Sequence, residues 1–170
     1  MTAMAKEART SCRAESLAKR IEEGAAKLAA FVEGLSEAKW RTSVSPTDSR
    51  SIGVIVHHVA AAYPIEIQLA RLVASGEPVL DVTWALVAEM NAKHSQEYAG
   101  VTKAAAVELV RQNSREAATA VRGFTDEQLD AAAPFSLSSS APVTAQFIIE
   151  DHALRHSWHH LAGIKKALNR

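Results

Sequence analysis

The sequence has little of several residue types that would define its class. It contains one cysteine, Cys12, so it forms no internal disulfide and offers no cysteine-rich metal site. Only 5% of its 170 residues are aromatic, and it has seven glycines and five prolines. Runs of β-branched residues are scarce, whereas alanine, leucine and glutamate abound. This composition predicts a protein built from helices, long enough for one hydrophobic core.

The sequence also lacks an excess of either positive or negative charge. The 19 lysines and arginines balance 19 aspartates and glutamates, and no basic block stands out, which argues against nucleic acid as a partner. The polar first residues lack a signal-peptide core, and no apolar stretch approaches the roughly 18 residues of a membrane span. We therefore expect a cytoplasmic protein that acts on a small molecule, without a membrane partner.

Apolar periodicity and capping residues predict an all-α fold, a four-helix bundle in a single domain over residues 1–170. The core should span about 10–168, with a flexible segment at 1–9. The Ser/Pro-rich segment 134–143 is predicted to be a loop, and no strand is predicted. The predicted helices are Thr10–Glu33, a helix from Ser49 or Ser51 to Ala74, Val82–Glu97 with a continuation at Lys103–Arg122, and Thr144–Leu168.

What the sequence does have is histidine, concentrated near its C-terminus. Four of the seven histidines lie in the segment DHALRHSWHHLAGI. A helix turns about 100° per residue, so His156 and His160 lie one turn apart on the same side. They continue an apolar stripe formed by Ile149, Ala153 and Ile164. Two imidazoles placed in this way on a predicted inner face can bind one metal ion.

A third ligand is expected from the His57-His58 pair in the second predicted helix, where His58 lies nearer the inner side. Three imidazoles with an open position are typical of a catalytic site, since structural sites are closed by four protein ligands. We expect a divalent metal with Zn²⁺ preferred and Ni²⁺, Fe²⁺ or Mn²⁺ as alternatives. No HExxH motif, paired Glu-x-x-His motif or P-loop is present, which favours a mononuclear site.

Other ionisable residues are candidates for roles around this site. Glu66 lies two turns beyond His58 and is the candidate catalytic residue. The candidates for substrate contact or for orienting an imidazole are His57, Asn91, His94, Asp151, His152 and His159. Either member of a histidine pair becomes the ligand if the helix phase differs by one residue. Two further alternatives are a non-catalytic metal- or small-ligand-binding sensor, and a bundle whose histidines sit in the core without metal.

Two segments resemble the motifs of a known family. RSIGVIVHHVA, which contains His58, resembles the second-helix motif of the DinB-like superfamily, and HSWHHLAGI, with His156 and His160, resembles its last-helix motif. The family resemblance also includes the segment NAKHSQEYAGVTKAAAVELV and Trp40, and it spans about Thr10 to Leu168. It implies a four-helix bundle with an unusual crossover topology, one divalent metal held by His58, His156 and His160, and a homodimer formed through helix faces.

The resemblance also implies a class of activity. Characterised members of the family include transferases and isomerases that use low-molecular-weight thiols such as mycothiol or bacillithiol, and some hydrolases. The expectation is therefore a thiol-dependent S-transferase or a hydrolase, with a low-molecular-weight thiol as a cosubstrate in the first case. Arg50 or Arg155 would then contribute to a basic pocket for an acidic thiol. Leu161-Ala162-Gly163 replaces a polar residue of the family motif, and Gly53-Val54 is more apolar than usual, which leaves the substrate open.

Overall fold

The structure is a computed structural model that describes residues 11–169. The flexible segment predicted at 1–9 lies outside these residues. The helices are α1 (Cys12–Glu33), α2 (Glu37–Trp40), α3 (Ile52–Ala74), α4 (Trp84–Glu97), α5 (Lys103–Arg122), α6 (Asp126–Asp130), α7 (Ala145–Ile148) and α8 (Arg155–Leu168). Between α7 and α8, Ile149–Leu154 forms a π-helical segment that joins them into one run.

The helix starts follow from hydroxyl side chains that accept hydrogen bonds from the first-turn amides. Ser11, Ser36, Ser51 and Thr102 cap α1, α2, α3 and α5 in this way. Thr125 forms a capping box with Gln128 at the start of α6. The predicted helix ends at Glu33, Ala74, Glu97, Arg122 and Leu168 are confirmed.

Four long helical elements make the bundle, as predicted: α1, α3, α5 and the run from α7 to α8. α5 packs against both α1 and α3, and the last run packs against the same two helices from the other side. α1 and α3 therefore lie diagonally across the bundle although they follow each other in sequence. The connection at residues 34–51 must cross one end of the bundle, which gives the crossover topology that the family resemblance implied.

α4 was predicted as part of the bundle but lies on its surface. None of its residues is buried, and Trp84 and Met90 are 67% and 46% exposed. Its polar and apolar residues do not form one continuous apolar stripe, so the helix has no strong face to bury. α5, predicted as its continuation, takes the place in the bundle instead.

α3 is the central helix and carries a proline without breaking. Pro64 has no backbone N–H, so the carbonyl of Ala60 loses its intrahelical partner. The side-chain amide of Asn113 on α5 donates to this carbonyl at 2.8 Å. By length and composition α3 could cross a membrane, contrary to the expectation that no such stretch exists, yet 61% of its most apolar window is buried inside the bundle. Its apolar character is explained by its position in the core.

The segment predicted as a loop at 134–143 contains a small hairpin. Strand β1 (Ala132–Pro134) pairs antiparallel with β2 (Pro142–Thr144), so the prediction of no strand is wrong here. Strands of three residues are too short to show the alternation by which a strand is predicted. The turn between them includes Ser139 and Ser140, both with positive φ. The hairpin places Thr144 at the start of the last helical run.

The π-helical segment changes the phase of the last run. A wider turn shifts every later residue around the helix axis, so the predicted stripe through Ile149, His156 and Ile164 does not continue straight. The fully buried position is Ser157, while His156 and His160 lie at its edge and are partly exposed. On another side of this run, Leu154 and Leu161 are buried within the chain. The homodimer stays a prediction.

Candidate metal centre

α3 and α8 bring together the three histidines predicted as ligands. Each of His58, His156 and His160 offers a ring nitrogen, and these atoms all lie within 4.8 Å of one another. The Nε2 atoms of His58 and His156 are 3.2 Å apart. Among residues 11–169, this is the one group of three or more His, Cys, Asp or Glu residues close enough to hold a metal ion.

The distances fit a first-row metal. Zinc binds imidazole nitrogen at about 2.0–2.1 Å in tetrahedral geometry, which places neighbouring ligand atoms about 3.3 Å apart. The 3.2 Å separation of the His58 and His156 nitrogens matches this spacing and also allows one neutral imidazole to donate to the other. The third ring, His160, lies 4.9 Å from His156 and 5.7 Å from His58 between ring centroids.

The environment keeps two of these imidazoles neutral, which is the form that binds metal. Burial, with the neighbouring imidazole of His156, lowers the pKa of His58 to about 3. Burial and the same neighbour lower the pKa of His160 to about 2. At neutral pH both rings therefore present an unprotonated nitrogen without having to release a proton.

Glu66 lies beside this site, as its spacing from His58 predicted. It is 7% exposed, and its Oε1 lies 2.7 Å from Nδ1 of His156. These two atoms are within ion-pair distance, but they are not aligned as a hydrogen bond. Nδ1 of His156 therefore has no hydrogen-bond partner among the described residues, and neither has the other carboxylate oxygen, Oε2 of Glu66. A carboxylate on the outer nitrogen of a ligating histidine fixes its tautomer.

A pocket of about 220 Å³ opens at the site and is lined by Glu66, Asp151, His152, Arg155, His156, His159 and His160. Three of the predicted surrounding residues, Asp151, His152 and His159, therefore reach the pocket. Asp151 Oδ1 accepts a hydrogen bond from Arg155 at 2.9 Å. Asp151 is thus paired with an arginine, and its role in orienting an imidazole stays a prediction.

His57 and His94 form a second histidine pair on the α4 side. Nδ1 of His57 lies 2.8 Å from Nε2 of His94, and the His57 ring stacks on Tyr98 with centroids 3.8 Å apart. The His94 ring is 5.6 Å from that of His58. Burial is the main cause that lowers the pKa of both His57 and His94. This pair attaches α4 to the helix that carries His58, and Asn91 lines a separate cleft along α4.

Sequence reasoning missed three residues at the centre. Tyr63, between His58 and Glu66 on α3, and Ser157, next to His156, are both fully buried, and their hydroxyls are hydrogen-bonded at 2.5 Å. Burial raises the pKa of Tyr63 to about 12, so its hydroxyl stays protonated. Tyr98 was missed because its role depends on how α4 folds back. The pair of Tyr63 and Ser157 could have been predicted from the sequence, because Ser157 is a polar residue within an otherwise apolar helix face.

The comparisons with known proteins agree with this architecture. The sequence profile of the DinB superfamily matches residues 20–164. The fold is similar to that of YfiT from Bacillus subtilis, described as a probable metal-dependent hydrolase with an unusual four-helix bundle topology. The TM-score is 0.75 at 18% sequence identity, over 99% of this chain and 93% of that one. No curated protein matches the sequence. The profile match covers most of the chain, and the protein therefore belongs to the DinB superfamily.

Proposed function

We propose that the protein is a mononuclear enzyme that uses a divalent metal to hydrolyse a small molecule. The observation that carries the proposal is the group of three histidine nitrogens, from two helices, within 4.8 Å of one another. A pocket lined by two of them, His156 and His160, gives a small substrate access to the group. The fold-level similarity to a probable metal-dependent hydrolase is consistent with this function.

The ligand set favours a strongly polarising metal. Three neutral imidazoles leave the ion its full double charge, and a fourth position stays open for a non-protein ligand. A divalent ion bound here would supply Lewis acidity and lower the pKa of a water or thiol that it binds to near neutrality.

The protein's own residues would orient and exchange protons around that position. Oε1 of Glu66, 2.7 Å from Nδ1 of His156, would accept the Nδ1 proton of this ring and so keep its Nε2 free to ligate. The second oxygen of Glu66 is buried and has no hydrogen-bond partner among the described residues, and we propose it as the base that takes a proton from a group entering the pocket that Glu66 lines. Tyr63 and Ser157 hold α3 and α8 in register beneath the three ligands.

Thiol transfer is a second candidate, because the same neutral ligand set favours any anionic fourth ligand. A thiolate from a low-molecular-weight cosubstrate fits that requirement as well as hydroxide does. We propose Zn²⁺ as the metal, since it suits three imidazoles in tetrahedral geometry. A cytoplasmic location agrees with the single cysteine, Cys12.

The test is a paired turnover screen. Zinc-loaded and chelator-stripped protein are assayed on a panel of small esters and amides, and on electrophiles with and without an added thiol. We expect turnover that is lost on stripping and restored by added zinc, and the need for a thiol separates the two candidates. Metal binding without turnover on either panel would instead identify a metal-binding or sensor module. Turnover that survives complete removal of metal would contradict both enzymatic candidates.

A further inference from the structure

A second cleft lies on the α4 side of the metal centre. It has a volume of about 480 Å³ and is lined by Arg50, Ala88, Asn91, Ala92, Ser95 and Gln96. None of the three metal-ligand candidates lines it, so it is distinct from the 220 Å³ pocket that His156 and His160 form with Glu66. Its walls come from α4 and from the end of the connector before α3.

The cleft lies beside His94, which in turn lies next to His58 in the group of three histidines. Asn91 and Ser95 stand beside His94 on α4, and the His94 ring is 5.6 Å from His58. A small molecule that reaches the histidines therefore has this cleft next to it.

Arg50 is held in a fixed orientation at the cleft wall. Its Nε and Nη2 donate to the two carboxylate oxygens of Asp48 at 2.9 and 2.7 Å. The backbone amide of Arg50 donates to the same carboxylate at 3.1 Å. The remaining nitrogen, Nη1, makes no hydrogen bond with the residues that the structure describes, and the side chain is 26% exposed. A guanidinium fixed in this way is prepared to donate to an incoming acceptor.

The remaining wall is small and polar, without a negative charge. Ala88, Ala92 and Ser95 are short side chains that leave the space open, and Asn91 and Gln96 carry amide donors. The pocket on the other side of the centre contains Glu66 and Asp151, which repel anions. Arg155 in that pocket is 61% exposed, against 26% for Arg50, so water screens its charge more strongly and it is a weaker anion partner.

We propose that this cleft binds a carboxylate group of the metal centre's substrate, with Nη1 of Arg50 as the principal donor. The inference rests on the proposed metal-dependent function and adds a substrate class to it, namely small acidic molecules. One guanidinium, already paired with Asp48, matches a single negative charge better than the double charge of a phosphate monoester. The reacting group of the substrate then lies at the histidines.

The experiment uses the cobalt-loaded protein and thiols as probes, because a thiolate on cobalt(II) gives a visible charge-transfer band. Mercaptoalkanoic acids of three chain lengths are compared with mercaptoalcohols of the same lengths. The two series carry the same metal-binding group and differ in the carboxylate. The measured quantity is the ratio of the two dissociation constants at each length, in the wild type and in three variants: Arg50→Gln, Arg41→Gln and Arg155→Gln.

At one chain length, we expect the preference for the acid over the alcohol, measured as the ratio of their dissociation constants, to be about tenfold larger in the wild type than in Arg50→Gln. This is the size expected for a charge-assisted hydrogen bond. Arg41→Gln removes the same charge from an exposed position of the same connector and should keep the wild-type ratio, as should Arg155→Gln. Equal ratios in the wild type and Arg50→Gln at every length would overturn the proposal. Loss of the preference in Arg155→Gln instead would assign the carboxylate to the other pocket.

A second readout separates failure of the subsite from failure of the metal function. The Nε resonance of Arg50 is followed by ¹⁵N NMR while hexanoate, hexanol or hexyl phosphate is added, with and without zinc. A saturable shift with hexanoate alone supports the carboxylate subsite even if neither thiol series binds the metal. No shift with hexanoate overturns it even if the protein binds metal and turns over a neutral ester. A stronger shift with hexyl phosphate would overturn the assignment to a monoanion.

Discussion

At the scale of single residues, the candidate metal centre is supported by groups that are not themselves candidate ligands. Glu66 is buried and lies 2.7 Å from Nδ1 of His156, where it can fix the tautomer that leaves Nε2 free. Its position was predictable, because eight residues from His58 are about two helical turns. Its contact with His156 and not with His58 was not, since that depends on how α3 and α8 approach each other.

Replacing Glu66 with glutamine should weaken metal binding. Glutamine keeps the shape but is a weaker acceptor for the Nδ1 proton, and loss of such a partner costs roughly 10- to 100-fold in affinity. The measurement is competition for zinc with a chromophoric chelator. Glu150→Gln is the matched control, because Glu150 is exposed and outside the pocket, and it should bind zinc as the wild type does. Equal affinity in both variants would show that Glu66 does not support the ligand.

The buried pair of Tyr63 and Ser157 gives a prediction about stability. Tyr63→Phe leaves the Ser157 hydroxyl buried without its partner and should lower the free energy of unfolding by about 1–3 kcal/mol. Adding Ser157→Ala to the Tyr63→Phe variant removes the hydroxyl that has lost its partner. In that background Ser157→Ala should therefore lower the free energy of unfolding clearly less than it does in the wild type. Urea denaturation of the metal-free proteins measures the cycle. Additive effects of the two changes would mean that the hydrogen bond contributes nothing measurable.

At the scale of elements, local sequence was sufficient where the signal is local. The ends of α1, α3 and α5 follow from hydroxyl caps and glycine or serine stops, and these were predictable. Features that depend on distant contacts were not predictable. The π-helical segment before His156, the three-residue strands around Phe135 and the exposed position of α4 each depend on packing against other elements.

The helix α3 gives a prediction at this scale. The carbonyl of Ala60, freed by Pro64, is satisfied by the side chain of Asn113. Asn113→Ala should leave this half-buried carbonyl without a partner and lower the free energy of unfolding by about 1–3 kcal/mol. Gln112→Ala is the neighbouring control, since the exposed Gln112 bonds only to Glu116 one turn along the same helix, and its cost should be a few tenths of a kcal/mol at most. Equal urea midpoints for the two variants would contradict the role of Asn113.

At the scale of the whole molecule, apolar periodicity and capping residues predicted the four-helix bundle, and the family motifs predicted its crossover. α1 and α3 lie on a diagonal, and this arrangement is what lets α8 pack against α3 and place His156 opposite His58. That these three histidines come together was predictable, because helical spacing and the family motifs led to the same residues. The cleft lined by Arg50 was not predictable, since it forms between a connector and a surface helix.

Burial of the ligands gives a pH dependence for the whole protein. The pKa values of His58 and His160 are lowered to about 3 and about 2, so both stay unprotonated well below the ordinary value of about 6.5. Between about pH 6 and pH 5, metal binding should then displace at most one ligand proton, and zinc affinity should fall no more than about tenfold per pH unit. Equilibrium dialysis against zinc buffers measures this slope. A fall of a hundredfold or more per unit would show that two or more ligands titrate normally.

The metal content of untagged protein, measured by plasma mass spectrometry, tests the central claim most directly. The comparison includes His58→Ala, His156→Ala and His160→Ala, with His159→Ala as a control from the same helix that lines the pocket but is not one of the three grouped ligands. We predict about one equivalent of zinc, nickel or iron in the wild type and in the control, and its loss in each of the three ligand variants. A wild-type protein that contains no metal and takes up none when it is added would contradict the account.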